Sequence, residues 1–301
     1  MAVSPVLASV DTLWLGVHKT GTTFLQKSLD LSQRALRAAG VQYMELAAFR
    51  AAYTRPLLHQ GHPDPVGPPL PAGKRLVFDE NIPALVQHAL GAGGLYPDIG
   101  PRARRVADHL GLVRPRVVLG LRGFGGFLPS LYCEALKSTA FVPFRRFLVT
   151  RVADLSWDDL VGRVVAAFPG SEVMVYTAEA LRGRERALLG LVTGVEAAAF
   201  TLLDGAERPG FSNAAVQALH EVAKSRAVTR ADVSGQTRLH PKGPGVPGFD
   251  PWTMAEAATL DRIYADDLAR LVRRPQVRFV DQDLQGQPLQ GQVVQGGAQA
   301  V

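Results

Sequence analysis

Cysteine is nearly absent from this 301-residue chain: Cys133 stands alone, so no internal disulfide can form. That pattern fits a reducing compartment and excludes a disulfide-stapled scaffold. A catalytic thiol needs a partner base, and no histidine is arranged to serve Cys133, which reads as a packing residue on a helix face. No apolar run approaches the ~20 residues of a membrane span. The first ten residues lack the basic start and apolar core of a signal peptide, so the expected location is the cytoplasm. Dense His/Cys clusters and regularly spaced acidic ligands are missing as well, so no metal site is expected. Aromatic residues make up 7% of the chain. They do not interleave with the basic residues, which argues against a nucleic-acid surface. The small clusters Arg102/Arg104/Arg105 and Arg273/Arg274 read as solvated helix faces.

What is present is an ordinary core and an excess of positive charge. Hydrophobic residues account for 47% of the sequence and the formal net charge is +6, a balance that favours anionic partners. Short apolar runs alternate with helical patterns. Strands are expected at 13–17, 41–44, 75–79, 115–121, 172–176 and 277–281. Helices are expected from Thr22 onwards to Gly40, and over 101–112, 129–137, 157–168, 184–192, 213–225 and 252–272, with a further one starting near Pro83. Strands alternating with helices predict an α/β fold, a central parallel sheet with helices on both faces. Residues 1–284 form one such domain in this reading. The Gln/Gly-rich segment 285–301 carries no charge and no core pattern and reads as a disordered tail. The Pro/Gly-rich segments 60–74 and 233–249 read as long loops.

The most informative stretch runs from Leu13 to Gln26. An apolar run, Leu13 to Val17, breaks into His18-Lys19-Thr20-Gly21-Thr22-Thr23 and re-emerges as a helical pattern. A strand–loop–helix junction of this kind binds anions, because the first helical N–H groups lack partners and the helix dipole is positive there. Lys19 adds a full charge, Gly21 allows close backbone approach, and Thr22 and Thr23 offer hydroxyls. The lysine precedes Gly21, whereas the nucleoside-triphosphatase loop G-x-x-x-x-G-K-[ST] places it after the second glycine.

Lys-Thr-Gly-Thr-Thr after a short strand resembles the 5′-phosphosulfate loop of sulfotransferases, which use 3′-phosphoadenosine 5′-phosphosulfate (PAPS) as donor. Arg122, at a strand end, with Ser130 eight residues later, is similar to that family's 3′-phosphate motif. Asp79-Glu80-Asn81 resembles the strand-end triplet of many bacterial members, and a glutamate at the matching place is the base in the heparan type. The 211–219 and 263–267 segments look like late structural motifs of the bacterial enzymes. The resemblance implies a sulfotransferase version of the P-loop-like α/β fold. It implies that Lys19 and Glu80 are catalytic and that Lys19, Thr20, Gly21, Thr22, Thr23, Arg122 and Ser130 bind the donor. Arg238 and Lys242, in a loop nearer to the heparan-type than to the steroid-type pattern, would contact phosphate. Such enzymes need no metal, release 3′-phosphoadenosine 5′-phosphate (PAP), and act on a hydroxyl or amine of a carbohydrate, lipid or small molecule. Two other readings stay open. One is an ATP–Mg²⁺ kinase with Asp79 as metal ligand, and the other is a non-enzymatic nucleotide-binding protein. A third use of Asp79 and Glu80, capping a helix near Pro83, is also open.

Overall fold

The computed structural model describes residues 10–61, 70–71, 73–205 and 210–286. Most of the 60–74 loop, and the 285–301 tail beyond Gly286, lie outside these residues.

Six parallel strands build the sheet: β1 (Thr12–Leu15), β2 (Val41–Tyr43), β3 (Lys74–Phe78), β4 (Arg116–Leu121), β5 (Val173–Thr177) and β6 (Val277–Phe279). Their spatial order is β2-β3-β1-β4-β5-β6. β1 is central, with Leu13 level with Val77 on one side and Val117 on the other. The helices that matter below are α1 (Thr22–Leu31), α2 (Ile99–His109), α3 (Phe124–Ala135), α4 (Trp157–Ala167), α5 (Glu185–Thr193), α6 (Asn213–Ser225), α7 (Arg230–Leu239) and α8 (Met254–Leu271).

Successive strand residues point to opposite faces, and the two faces carry separate cores. Leu13, Val77, Val117, Leu119, Val173 and Val175 pack with residues of α2, α3 and α4. Trp14, Leu76, Phe78, Val118 and Met174 pack with Leu25 and Leu29 of α1 and Leu188 and Leu189 of α5. Both faces are therefore covered, as the continuous apolar strands require. Trp14 stacks on Phe78 at 4.2 Å.

Four expectations about elements are corrected. No helix begins at Pro83: residues 79–82 form a turn, and a two-residue hairpin, Leu90–Gly91 with Gly94–Leu95, comes before α2. Arg102 braces that turn, donating to the carbonyls of Ile82 and Asn81 at 2.8 and 3.0 Å, so it is not simply a solvated surface arginine. The helix expected at Pro129 begins five residues earlier, at Phe124, with Pro129 inside it. A proline there leaves the carbonyl four residues back without its helical donor, and the Trp252 indole N–H fills the gap, donating to Gly125 O at 2.9 Å. The expected 233–249 loop is helical in its first part, because α7 runs to Leu239 behind a Thr229–Asp232 capping box. Gln285, expected in the tail, ends a short helix, Asp281–Gln285.

Candidate functional site

In an open parallel sheet, ligands bind at the carboxyl ends of strands where the connections diverge. Here the chain leaves β1 towards β2 and leaves β4 towards β5. A cavity of about 860 Å³ opens at that point. Its walls come from the β1–α1 loop, the end of β3, the β4–α3 segment and the region around Lys242.

The β1–α1 loop is tightly held. A Cβ on Gly16 would lie 2.9 Å from Thr22 Cγ2 and 3.1 Å from Glu80 Cβ, so only glycine fits between loop and strand end. Lys19 has φ 66° and Gly21 φ 88°. A lysine in the left-handed region is an uncommon, strained state that clusters at functional sites. Arg122 Nη1 holds it there, donating to the Lys19 carbonyl at 3.0 Å. Thr20 is fully buried and donates its hydroxyl to Val17 O at 2.7 Å. It shapes the loop from below and does not line the cavity. Gly21, Thr22 and Thr23 do line it. No side chain caps the N-terminus of α1, and its first turn contains no acidic residue. The free N–H groups and the positive end of the dipole thus face the cavity, an arrangement suited to an anion.

The β4–α3 wall supplies Arg122, Ser130 and Glu134. Ser130 sits in the second turn of α3, so it contributes a hydroxyl but no free N–H. One turn further, Glu134 accepts from Lys19 Nζ at 3.1 Å and from Lys137 Nζ at 2.9 Å. Burial pushes the Glu134 carboxyl up, but the two ammonium groups outweigh it and hold the group at about 2. Glu134 is a site residue with no local signature in the sequence.

At the end of β3, neighbouring carboxylates have opposite fates. Asp79 is fully buried. Its Oδ1 accepts from Arg50 Nε and Nη2 at 2.8 and 2.7 Å and from Asn81 N at 2.9 Å, and its Oδ2 accepts from Thr54 Oγ1 at 2.7 Å. It neither lines the cavity nor caps a helix. Glu80 does line the cavity. Gln26 Nε2 donates to one of its oxygens at 2.7 Å, and Arg50 Nη2 lies 3.1 Å from the other. Each oxygen keeps a lone pair for the cavity. Burial raises the Glu80 carboxyl, but Arg50, His18 and Gln26 override this and hold it below the ordinary carboxylate range. His18 is also buried, and desolvation lowers its imidazole despite the opposing pull of Glu80. The Tyr96 hydroxyl accepts from His18 N at 3.0 Å and lies 3.0 Å from His18 Nδ1.

The remaining predicted residues divide. Lys242 reaches the cavity, whereas Arg238 lies exposed on α7 and outside the cavity wall. The late motifs are structural: Ser212 caps α6, Tyr264 donates to Glu179 at 3.0 Å, and Asp267 accepts from Trp157 N at 2.6 Å. Cys133 is buried on α3, and its thiol is pushed up to about 12 by burial.

The cavity thus gathers Lys19, Gly21, Thr22, Thr23, Glu80, Arg122, Ser130 and Lys242 and adds His18, Arg50, Asn81 and Glu134. Among the described residues no group of three or more His, Cys, Asp or Glu is arranged to hold a metal ion, and no helix is long and apolar enough to cross a membrane. No protein-family profile matches the chain, and neither a characterised protein nor a solved structure is detectably similar to it.

Proposed function

We propose that the protein is a sulfotransferase that moves a sulfuryl group from PAPS to a hydroxyl or amine of a carbohydrate, lipid or small-molecule acceptor. One observation carries this reading. The uncapped α1 N-terminus with Lys19 and the Arg122–Ser130 pair share a single cavity with an ionised glutamate. That gives two anion-binding corners and one proton acceptor. A donor with phosphates at two positions of its ribose needs both corners.

Sulfuryl transfer resembles phosphoryl transfer: in-line displacement through a charge-spread transition state, with catalysis supplied by positioning and electrostatics. The S–O bond to the 5′-phosphate breaks while a bond from sulfur to the acceptor oxygen or nitrogen forms. The acceptor's proton passes to Glu80. Lys19 and the α1 N–H groups meet the negative charge that accumulates on the 5′-phosphate. Arg122, always charged, and the Ser130 hydroxyl meet the 3′-phosphate and so distinguish PAPS from ATP. Lys242 adds a cation at the rim. Because Glu80 is held below the ordinary carboxylate range, it is ionised through the neutral range, and activity falls only as pH drops into the acid range.

The kinase reading asks Asp79 to ligate Mg²⁺, but its oxygens already accept four hydrogen bonds inside the protein. Calorimetric titration with PAP and with ATP–Mg²⁺ separates the two readings. PAP is expected to bind in the micromolar range, to lose about 10- to 100-fold in Arg122→Ala, as for a hydrogen-bonded charge, and to outcompete ATP–Mg²⁺. Tight ATP–Mg²⁺ binding without preference for a 3′-phosphate would overturn the proposal in favour of a kinase. PAP binding with no sulfated product from any acceptor panel would leave a nucleotide-binding protein.

A further inference from the structure

We propose that Arg50 is the positioning residue of this site: a guanidinium carried on a π-turn that locks the Glu80 carboxylate towards the cavity by sharing one nitrogen between Glu80 and Asp79. The inference rests on the sulfotransferase reading for the use of Glu80, and on geometry alone for the role of Arg50.

The chain from Leu46 to Leu58 is helical, and its middle, Arg50–Thr54, is a π-turn. In an α-helix, residues four apart are offset by about 40° around the axis. The wider i→i+5 turn narrows that offset. Arg50 and Thr54 accordingly reach the same buried carboxylate, Arg50 with Nε and Nη2 on Asp79 Oδ1 and Thr54 with its hydroxyl on Oδ2. Insertions of this kind are frequent at functional sites. Arg50 Nη2 then lies 3.1 Å from Glu80 Oε1, and Arg50 lines the cavity while Asp79 does not. Asp79 is therefore the anchor, Arg50 the bridge, and Glu80 the group held out to the cavity.

The second oxygen of Glu80 accepts from Gln26 of α1, so the carboxylate is held from two elements. The ionisable groups facing it are Arg50 from the π-turn, His18 from the β1–α1 loop, Tyr96 from the segment before α2, and Asp79 beside it. Burial disfavours a charge on His18, Tyr96 is a buried phenol, and Asp79 repels. Arg50 is thus the fixed cation next to Glu80, and its loss removes the main attraction that offsets burial. An opposite charge at this range lowers a carboxyl by about 1–3 pH units.

The test reads Glu80 directly. The ¹³C resonance of its carboxyl, assigned by difference from Glu80→Gln, is followed against pH in the full chain. In the wild type the midpoint is expected below the ordinary carboxylate range. Arg50→Gln is expected to raise it by about one pH unit or more, and Arg50→Lys, which keeps the charge but not the fork, by less. Because Arg50→Gln strands Asp79 as an unpaired buried charge and can unfold the protein, the double variant Arg50→Gln/Asp79→Asn is measured beside it. That pair also removes the Asp79 repulsion, so its reference is Asp79→Asn alone, and a midpoint higher in the pair than in that single variant reports the lost 3.1 Å contact. A midpoint unmoved in the folded variants overturns the proposal. PAP titration of the same variants separates the two ideas. Wild-type protein that ignores PAP sinks the sulfotransferase reading, while the Glu80 midpoint still decides the role of Arg50.

Discussion

The two sides of the cavity treat their polar groups in opposite ways. At the β1–α1 corner the helix N–H groups have no side-chain cap, a lysine is held at positive φ, and the backbone is strained rather than satisfied. At the end of β3 nearly every donor and acceptor is matched: Asp79 accepts four hydrogen bonds, Gln26 and Arg50 divide the oxygens of Glu80, and Arg102 closes the turn from behind. The first corner is built to receive charge from outside, because free donors and strain are what a bound anion relieves. The second is built to hold one group still. Under the sulfotransferase proposal, a site that combines them separates the work of binding a charged donor from the work of orienting a base.

The sharpest way to break this comparison is to remove, one at a time, the two carboxylates at the end of β3. Removing one partner of a buried ion pair costs about 3–5 kcal/mol, a large share of a typical domain's stability. Asp79→Ala, which takes from Arg50 the nearer of its two carboxylates and from Thr54 and Asn81 N their acceptor, is therefore expected to unfold at far lower urea, or not to fold at all. Glu80→Gln is expected to unfold near the wild-type midpoint and to form sulfated product about 10²–10⁴-fold more slowly, the range of a lost general base. Equal stability losses in the two variants would erase the distinction between anchor and presented group.

At the other corner, Lys19→Ala is expected to cut turnover by about 10²–10³-fold, the range for one lost electrostatic stabiliser. A thermal midpoint recorded alongside guards against a folding effect, since alanine at φ 66° carries its own strain. Near-normal turnover would remove Lys19 from the chemistry. Glu134→Gln should act in the reverse sense. Glu134 places a negative charge beside Lys19 inside a cavity read as anion-binding, and at about 2 it stays ionised throughout the neutral range. Neutralising it is expected to tighten PAP binding several-fold, more at low ionic strength than at high, because salt screens such terms. Weaker PAP binding would mean that Glu134 holds Lys19 in its working position instead of competing for it.

Much of the first corner was legible in the sequence, because its parts are contiguous. The apolar run, the early lysine, Gly21 and the two threonines specify strand, turn and helix N-terminus within a single short stretch, and the strand pattern pointed to the parallel sheet. The second corner was legible only in Glu80. Arg50 lies in a helical stretch whose π-turn breaks the 3.6-residue rhythm, so periodicity could not register it, and its partner is 29 residues away. Glu134 escaped notice because its partner Lys19 is 115 residues away, and the start of its helix was misplaced because Pro129 reads as a first-turn residue. The helix in fact starts at Phe124, made possible by the Trp252 indole that replaces the hydrogen bond Pro129 cannot donate. A contact between positions 127 residues apart has no local signature. The helical end of α7 does have a local mark, the Thr229–Asp232 capping box, which the Gly/Pro-rich run around Lys242 masked.

The smallest expected effect tests how finely the two corners are coupled. A Cβ built on Gly126 would lie 3.1 Å from Arg122 Nη2 and 3.3 Å from its Nε. Gly126 lies in the first turn of α3, so alanine there suits the helix better than glycine, by up to about 1 kcal/mol. Gly126→Ala therefore sets a local gain in helix stability against a push on one guanidinium. That guanidinium both lines the cavity and holds the Lys19 carbonyl at 3.0 Å. Displacing it by a few tenths of an ångström is expected to leave the unfolding midpoint unchanged or slightly raised while PAP binding weakens a few-fold, less than in Arg122→Ala. Weakened PAP binding in a protein at least as stable as wild type would mean that the anion corner depends on the placement of Arg122 as well as on its charge. Unchanged binding would mean that the guanidinium has room to adjust, and that Arg122 contributes its charge while the β1–α1 loop keeps its strained shape without it.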